Sequence, residues 1–78
     1  MSRREKLIEK MRRTPANIRF AEVESLLRRE RFVLFNSRGS HRTYHRADGR
    51  VLTIVRPHGG RKTCHLQDIQ KLLEVLGL

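Results

Sequence analysis

The run Arg38-Gly39-Ser40-His41-Arg42-Thr43-Tyr44 holds the residue types in this sequence that could do chemistry. Its histidine follows a glycine turn at the start of an expected β-strand, with arginines on both sides. Histidine titrates near neutral pH, so it can take or give a proton in water. Neighbouring arginines hold a phosphate diester through paired N–H donors, and Gly39 lets a backbone or a phosphate approach closely. A proton-transfer group among phosphate clamps points to chemistry on RNA rather than to RNA binding alone. Taken by themselves, the same residues also fit a histidine that merely ends a strand on a solvated surface.

A second basic segment, Arg56-Pro57-His58-Gly59-Gly60-Arg61-Lys62, leads into the last expected helix. Its backbone N–H groups, with Arg61 and Lys62, could bind a phosphate; the plainer alternative is a connector that shares the basicity of the whole chain. The four histidines and Cys64 raise the question of a metal. Neither Cys-x-x-Cys nor His-x-x-x-His occurs, however, and the only acid between residues 32 and 65 is Asp48, in an expected hairpin turn. Metal-dependent phosphodiester hydrolysis needs clustered carboxylates, so no metal and no cofactor is expected. Ser40 beside His41 lacks an orienting acid, and Cys64 reads as a small buried side chain near a helix start.

Charge supports a polyanionic partner. Lys and Arg outnumber Asp and Glu by 18 to 8 in 78 residues, and the excess is unevenly spread. Residues 32–65 carry seven Lys/Arg against one acid, residues 1–31 ten against five, and residues 66–78 one against two. The middle of the chain is therefore an almost acid-free basic field. The length allows a single small core, and the lone cysteine suits a reducing cytoplasm. No apolar run reaches transmembrane length and the N-terminus lacks the apolar stretch of a signal peptide, so no membrane is expected and the location expected is cytoplasmic.

The elements that must position these residues follow from apolar spacing. Leu7, Ile8 and Met11 predict a helix over 3–13, ended by Pro15. Phe20, Val23, Leu26 and Leu27 predict a second over 20–30. Phe32 to Phe35 predict a strand broken by a turn at 36–39, residues 41–46 a second strand, and Val51 to Val55 a third, with Asp48-Gly49 at the hairpin between them. Leu66, Ile69, Leu72, Leu73 and Leu76 predict a closing helix ended at Gly77. The expected architecture is α+β, a three-stranded antiparallel sheet covered by helices on one face. On the second strand His41, Thr43 and His45 face one way and Arg42, Tyr44 and Arg46 the other.

In this order and spacing, several motifs together resemble the HicA family of bacterial toxin ribonucleases. They are Gly39-Ser40-His41 with Tyr44, the Asp48-Gly49 hairpin, and the strand from Val51 running into His58. Asn17-Ile18-Arg19-Phe20 after an Arg-Glu-Lys-Leu helix is similar to the longer members. The resemblance implies a double-stranded-RNA-binding-domain-like α-β-β-β-α fold with an extra N-terminal helix. Residues 1–78 then form one HicA-like domain, with 3–13 an accessory helix and 18–78 the core. It also implies that His41 is catalytic, that messenger RNA is cleaved without a metal, and that a HicB-type antitoxin covers the active site in a hetero-oligomer. Family members usually carry Gly-Phe where the first core helix meets the first strand. This chain has Arg31-Phe32 there, a cost of roughly 1 kcal/mol if the position is left-handed.

The function these readings predict is a metal-independent endoribonuclease toxin. His41 serves as general base on the ribose 2′-OH or general acid on the departing 5′-oxygen. Arg38, Gly39, Ser40, Arg42, Tyr44, His58, Arg61 and Lys62 form the expected RNA- and phosphate-binding set around it. The other proton comes from water or from a weaker group such as Tyr44. The alternative is a non-catalytic double-stranded RNA-binding module, which the same fold and charge suit.

Overall fold

The computed structural model describes residues 2–78. Three helices, α1 (Arg3–Arg13), α2 (Phe20–Arg29) and α3 (Leu66–Val75), accompany three strands, β1 (Val33–Arg38), β2 (His41–His45) and β3 (Val51–Val55). A single 3-10 turn, Pro15–Asn17, joins α1 to α2. The strands form one antiparallel sheet in the order β1-β2-β3. The protein is thus α+β with an extra helix ahead of an α-β-β-β-α layout, as the apolar spacing predicts.

Local chemistry accounts for the ends of α1. Ser2 and Glu5 form a reciprocal capping box, with the Glu5 amide donating to Ser2 Oγ at 3.1 Å. Leu7, Ile8 and Met11 are buried on one stripe. Beside them Lys10 Nζ bonds both carboxylate oxygens of Glu22 on α2, at 3.0 and 2.7 Å. Partial burial works to raise the Glu22 pKa. The Arg19 backbone amide and the Lys10 ammonium outweigh it and hold the carboxyl below its ordinary range.

The C-terminus of α2 shows what Arg31 does. The Phe32 amide donates to the Leu27 carbonyl at 2.9 Å and the Arg31 amide to the Arg28 carbonyl at 3.1 Å. This is the paired bonding of a Schellman motif, completed by the buried Phe32 and Leu27 side chains. Arg31 accordingly sits at φ 65°. The C-terminus of α3 repeats the motif, Gly77 to Glu74 and Leu78 to Leu73, with Gly77 at φ 77° in the equivalent place. One left-handed position is thus filled by glycine and the other by arginine, which bears the clash between Cβ and backbone. Arg31→Gly is expected to raise stability by about 1 kcal/mol, read as a higher urea midpoint at unchanged slope; an unchanged or lower midpoint contradicts this account of the position.

Two details of the sheet differ from the sequence expectation. β1 does not break at Asn36 but continues to Arg38, and the turn is only Gly39-Ser40, closed by the pair Arg38–His41. The sequence misleads here because a bulge at Phe35, between the pairs Leu34–Tyr44 and Asn36–Thr43, interrupts the period-2 pattern. Gly39, at φ 59°, takes the left-handed first position of the tight hairpin. β2 ends at His45, because Arg46 enters the loop; its amide bonds the Arg50 carbonyl and its carbonyl accepts from the Gly49 amide.

Tyr44, Leu52 and Ile54 face the helices and join Leu7, Met11, Ile18, Val23, Leu26, Leu27, Ile69 and Leu72 in one core. Among the described residues no helix lies over the opposite face of the sheet: Val33, Phe35 and Val51 are 68%, 69% and 52% exposed. Buried Asp68 ties α3 to the sheet by accepting the Val55 amide at 3.0 Å. The Cys64 amide, donating to the Ile18 carbonyl at 2.8 Å, anchors the loop before α3.

Candidate active site

His41 opens β2 immediately after the Gly39-Ser40 turn. Cross-strand pairing places it between Arg38 of β1 and Val55 of β3, and directly opposite residues in a sheet share a face. It lies on the open face, exposed, as does Arg38. The next row on that face is Asn36, Thr43 and Thr53, with the two threonine hydroxyls 3.0 Å apart. The row beyond is Val33, His45 and Val51. Phe35, re-aimed by the bulge, stacks on His45 with ring centroids 4.0 Å apart and planes 8° from parallel.

Arg42 points to the other side of the sheet. Its guanidinium lies 5.6 Å from the centre of the Phe20 ring and that of Arg56 lies 5.9 Å from the same ring. Arg42 Nε is buried and unpartnered among the described residues. Gly39, Ser40, Arg42, Arg56, Pro57 and His58 line an open cleft of about 530 Å³ there. Four expected site residues, Gly39, Ser40, Arg42 and His58, are therefore brought together, while His41 lies on the opposite side of its own strand. The hairpin tip joins the two surfaces.

Sequence reading left Arg56 out of the site. Its amide donates to the Ser40 carbonyl, which extends the β2–β3 ladder past Val55 and sets Arg56 on the face of Arg42. Parity along each strand was readable, but the register between strands decides this and is not written in either strand alone.

Three expected contacts are placed otherwise. Tyr44, expected at the RNA surface, is only 5% exposed; it belongs to the core, its hydroxyl is buried without a partner among the described residues, and burial pushes its phenol pKa up. A phenol in that place reaches neither phosphate nor His41. Arg61 turns back on its own loop, with Nε donating to the Thr63 carbonyl at 2.9 Å and a second nitrogen reaching the Cys64 carbonyl at 3.5 Å. Lys62 is exposed on that loop and outside the cleft lining.

The site's electrostatics follow from where Asp48 is held. It sits beyond the far end of β2 from His41, in the β2–β3 turn, bonded to Arg46 at 3.0 and 2.8 Å and paired with Arg50 at 3.3 Å. The Arg46 hydrogen bonds hold its carboxyl below the usual range. Among the described residues no three His, Cys, Asp or Glu side chains gather as a metal site requires. Burial pushes the Cys64 thiol up to about 11, so little thiolate exists at neutral pH.

These features define a class: a small basic α+β domain with a double-stranded-RNA-binding-domain-like layout, an open sheet face, and an exposed histidine at the hairpin tip. The sequence profile described as HicA toxin of bacterial toxin-antitoxin matches residues 20–78, and the chain belongs to that family. No curated protein and no solved structure matches the chain. Helix α1 precedes the matched residues, yet its Leu7, Ile8 and Met11 are buried in the common core. No helix among the described residues is long and apolar enough to cross a membrane.

Proposed function

We propose that this chain is the endoribonuclease toxin of a toxin–antitoxin pair and cleaves messenger RNA through His41 without a metal. The observation that carries the reading is the placement of His41: exposed on the open face, flanked by Arg38, at the opposite end of β2 from Asp48. An RNA phosphate held by Arg38 lies against the imidazole. In one assignment His41 takes the proton of the 2′-OH, the 2′-oxygen attacks phosphorus, and the bond to the 5′-oxygen breaks, with water protonating the leaving group. In the other, His41 donates that last proton and water accepts the first. Both give a 2′,3′-cyclic phosphate and a 5′-hydroxyl, and DNA, without the 2′-OH, is spared.

Water takes the second role because the phenol and the histidine that shares the open face of β2 are badly placed. Tyr44 is buried on the opposite face. His45 is four residues along the strand, about 13 Å away, and is stacked under Phe35. Arg42, Arg56 and His58 hold flanking phosphates where the strand passes over the hairpin tip. A HicB-type antitoxin binds the toxin in a hetero-oligomer and blocks this surface. Incubating the purified protein with single-stranded messenger RNA in excess chelator is expected to give fragments with cyclic phosphate ends. RNA that stays intact under those conditions favours the non-catalytic double-stranded RNA-binding module instead.

A further inference from the structure

The exposed Phe35–His45 stack is unexplained by the core and lies outside the cleft. A large apolar side chain at 69% exposure contributes almost nothing to folding where it sits, and two more, Val33 and Val51, flank the same stack. The bulge at Phe35 is what sets the ring there, since regular alternation after Leu34 and before Asn36 would not leave an extra residue facing out. His45 covers one face of the ring at 4.0 Å and the two planes are nearly parallel. The structure therefore presents a flat aromatic platform on the open face, in line with His41 along β2.

We propose that Phe35, backed by His45, is a base-stacking subsite that receives an unpaired nucleobase of the RNA substrate. The proposal rests on the ribonuclease reading and deepens it, because it makes single-stranded RNA the substrate class. Three observations favour a nucleobase over a protein side chain. The chain carries a net charge of +10, so a polyanion is drawn to it. A planar aromatic surface fits a planar base, and stacking tolerates every base because each has a π-face. Phe35 stands three residues along β1 from Arg38, the cross-strand partner of His41, about 10 Å along the strand, within the span of a short single-stranded segment whose phosphate lies at the hairpin tip. In a duplex the bases are stacked on each other and closed to the platform. Duplex RNA meets Arg38 and the cleft but not Phe35.

The test uses three variants of an exposed residue, none of which disturbs the core. Binding is measured on an uncleavable 2′-O-methyl single-stranded oligomer and on its duplex, and cleavage on natural RNA. Phe35→Ala and Phe35→Leu are both expected to weaken single-strand binding roughly tenfold or more, the usual loss of one stacked base, and to leave duplex binding unchanged. Phe35→Trp supplies the only tryptophan in the chain; its emission is expected to be quenched by the single strand and not by the duplex, with affinity kept. Wild-type affinity in both Phe35→Ala and Phe35→Leu overturns the proposal. So does a Phe35→Leu variant that binds RNA normally while Phe35→Ala alone loses its antitoxin, which assigns the patch to protein packing. If the Trp variant is quenched and the wild type leaves natural RNA intact, the stacking site stands and the ribonuclease reading fails. If the wild type cleaves and Phe35→Ala cleaves and binds equally well, the stacking site alone fails.

Discussion

Replacing His41 with alanine is expected to lower the rate of RNA cleavage by about 10²–10⁴-fold, the usual worth of a positioned proton-transfer group. The imidazole is exposed and lies in no core contact, so the folded state should change by no more than about 0.5 kcal/mol. RNA affinity should stay close to that of the wild type, because phosphate contact is assigned to Arg38, Arg42 and Arg56 and base contact to Phe35. Single-turnover rates measured alongside a binding titration separate the two effects. In bacteria the wild type should arrest growth and the variant should not. A variant that cleaves at the wild-type rate removes His41 from the mechanism, and one that loses binding in proportion to rate makes it a phosphate ligand only.

The second large effect concerns stability and lies outside the family-matched residues. Met11 on α1 is fully buried against the common core. Truncation to alanine should cost about 2–5 kcal/mol, from lost transfer energy and the cavity left behind. A chain of 78 residues holds on the order of 4–12 kcal/mol in total, so Met11→Ala should bring the protein close to its unfolding midpoint at growth temperature. Met11→Leu, which nearly conserves volume, should cost less than about 1.5 kcal/mol. Urea unfolding of the three proteins checks this. A loss below about 1 kcal/mol in Met11→Ala shows that α1 is an appendage that can lift from the domain rather than part of its core.

How much of this was legible from residues alone varies with the physics involved. Helices α1, α2 and α3 were readable because their buried positions, such as Leu7, Ile8, Met11 and Val23, Leu26, Leu27, recur at helical spacing beside clear stops at Pro15 and Gly77. The open face of β2 was readable from parity, which set His41 opposite Arg42 and Tyr44. Parity alone did not say which face the helices cover. That depends on three-dimensional packing, and it turned Tyr44 from an expected RNA contact into a core residue. The end of β1 was misread because a bulge costs the pattern one residue, and that same bulge creates the Phe35–His45 stack. Arg56 was missed because its place depends on inter-strand register. Arg31 shows another case: the resemblance, with its usual glycine there, raised a left-handed backbone only as a condition, and the structure has Arg31 at φ 65°.

In the proposed reaction His41 moves a proton in the attack of a ribose hydroxyl on its own phosphate. The most direct measurement maps one cleavage site in a messenger RNA, then replaces the single 2′-hydroxyl at that site with hydrogen and follows cleavage in chelator. Cleavage at that bond is expected to disappear, the unmodified RNA to give a 2′,3′-cyclic phosphate there, and His41→Ala to cut the unmodified RNA about 10²–10⁴-fold more slowly. Continued cleavage at the deoxy position, by a protein whose activity still depends on His41, would contradict that reaction.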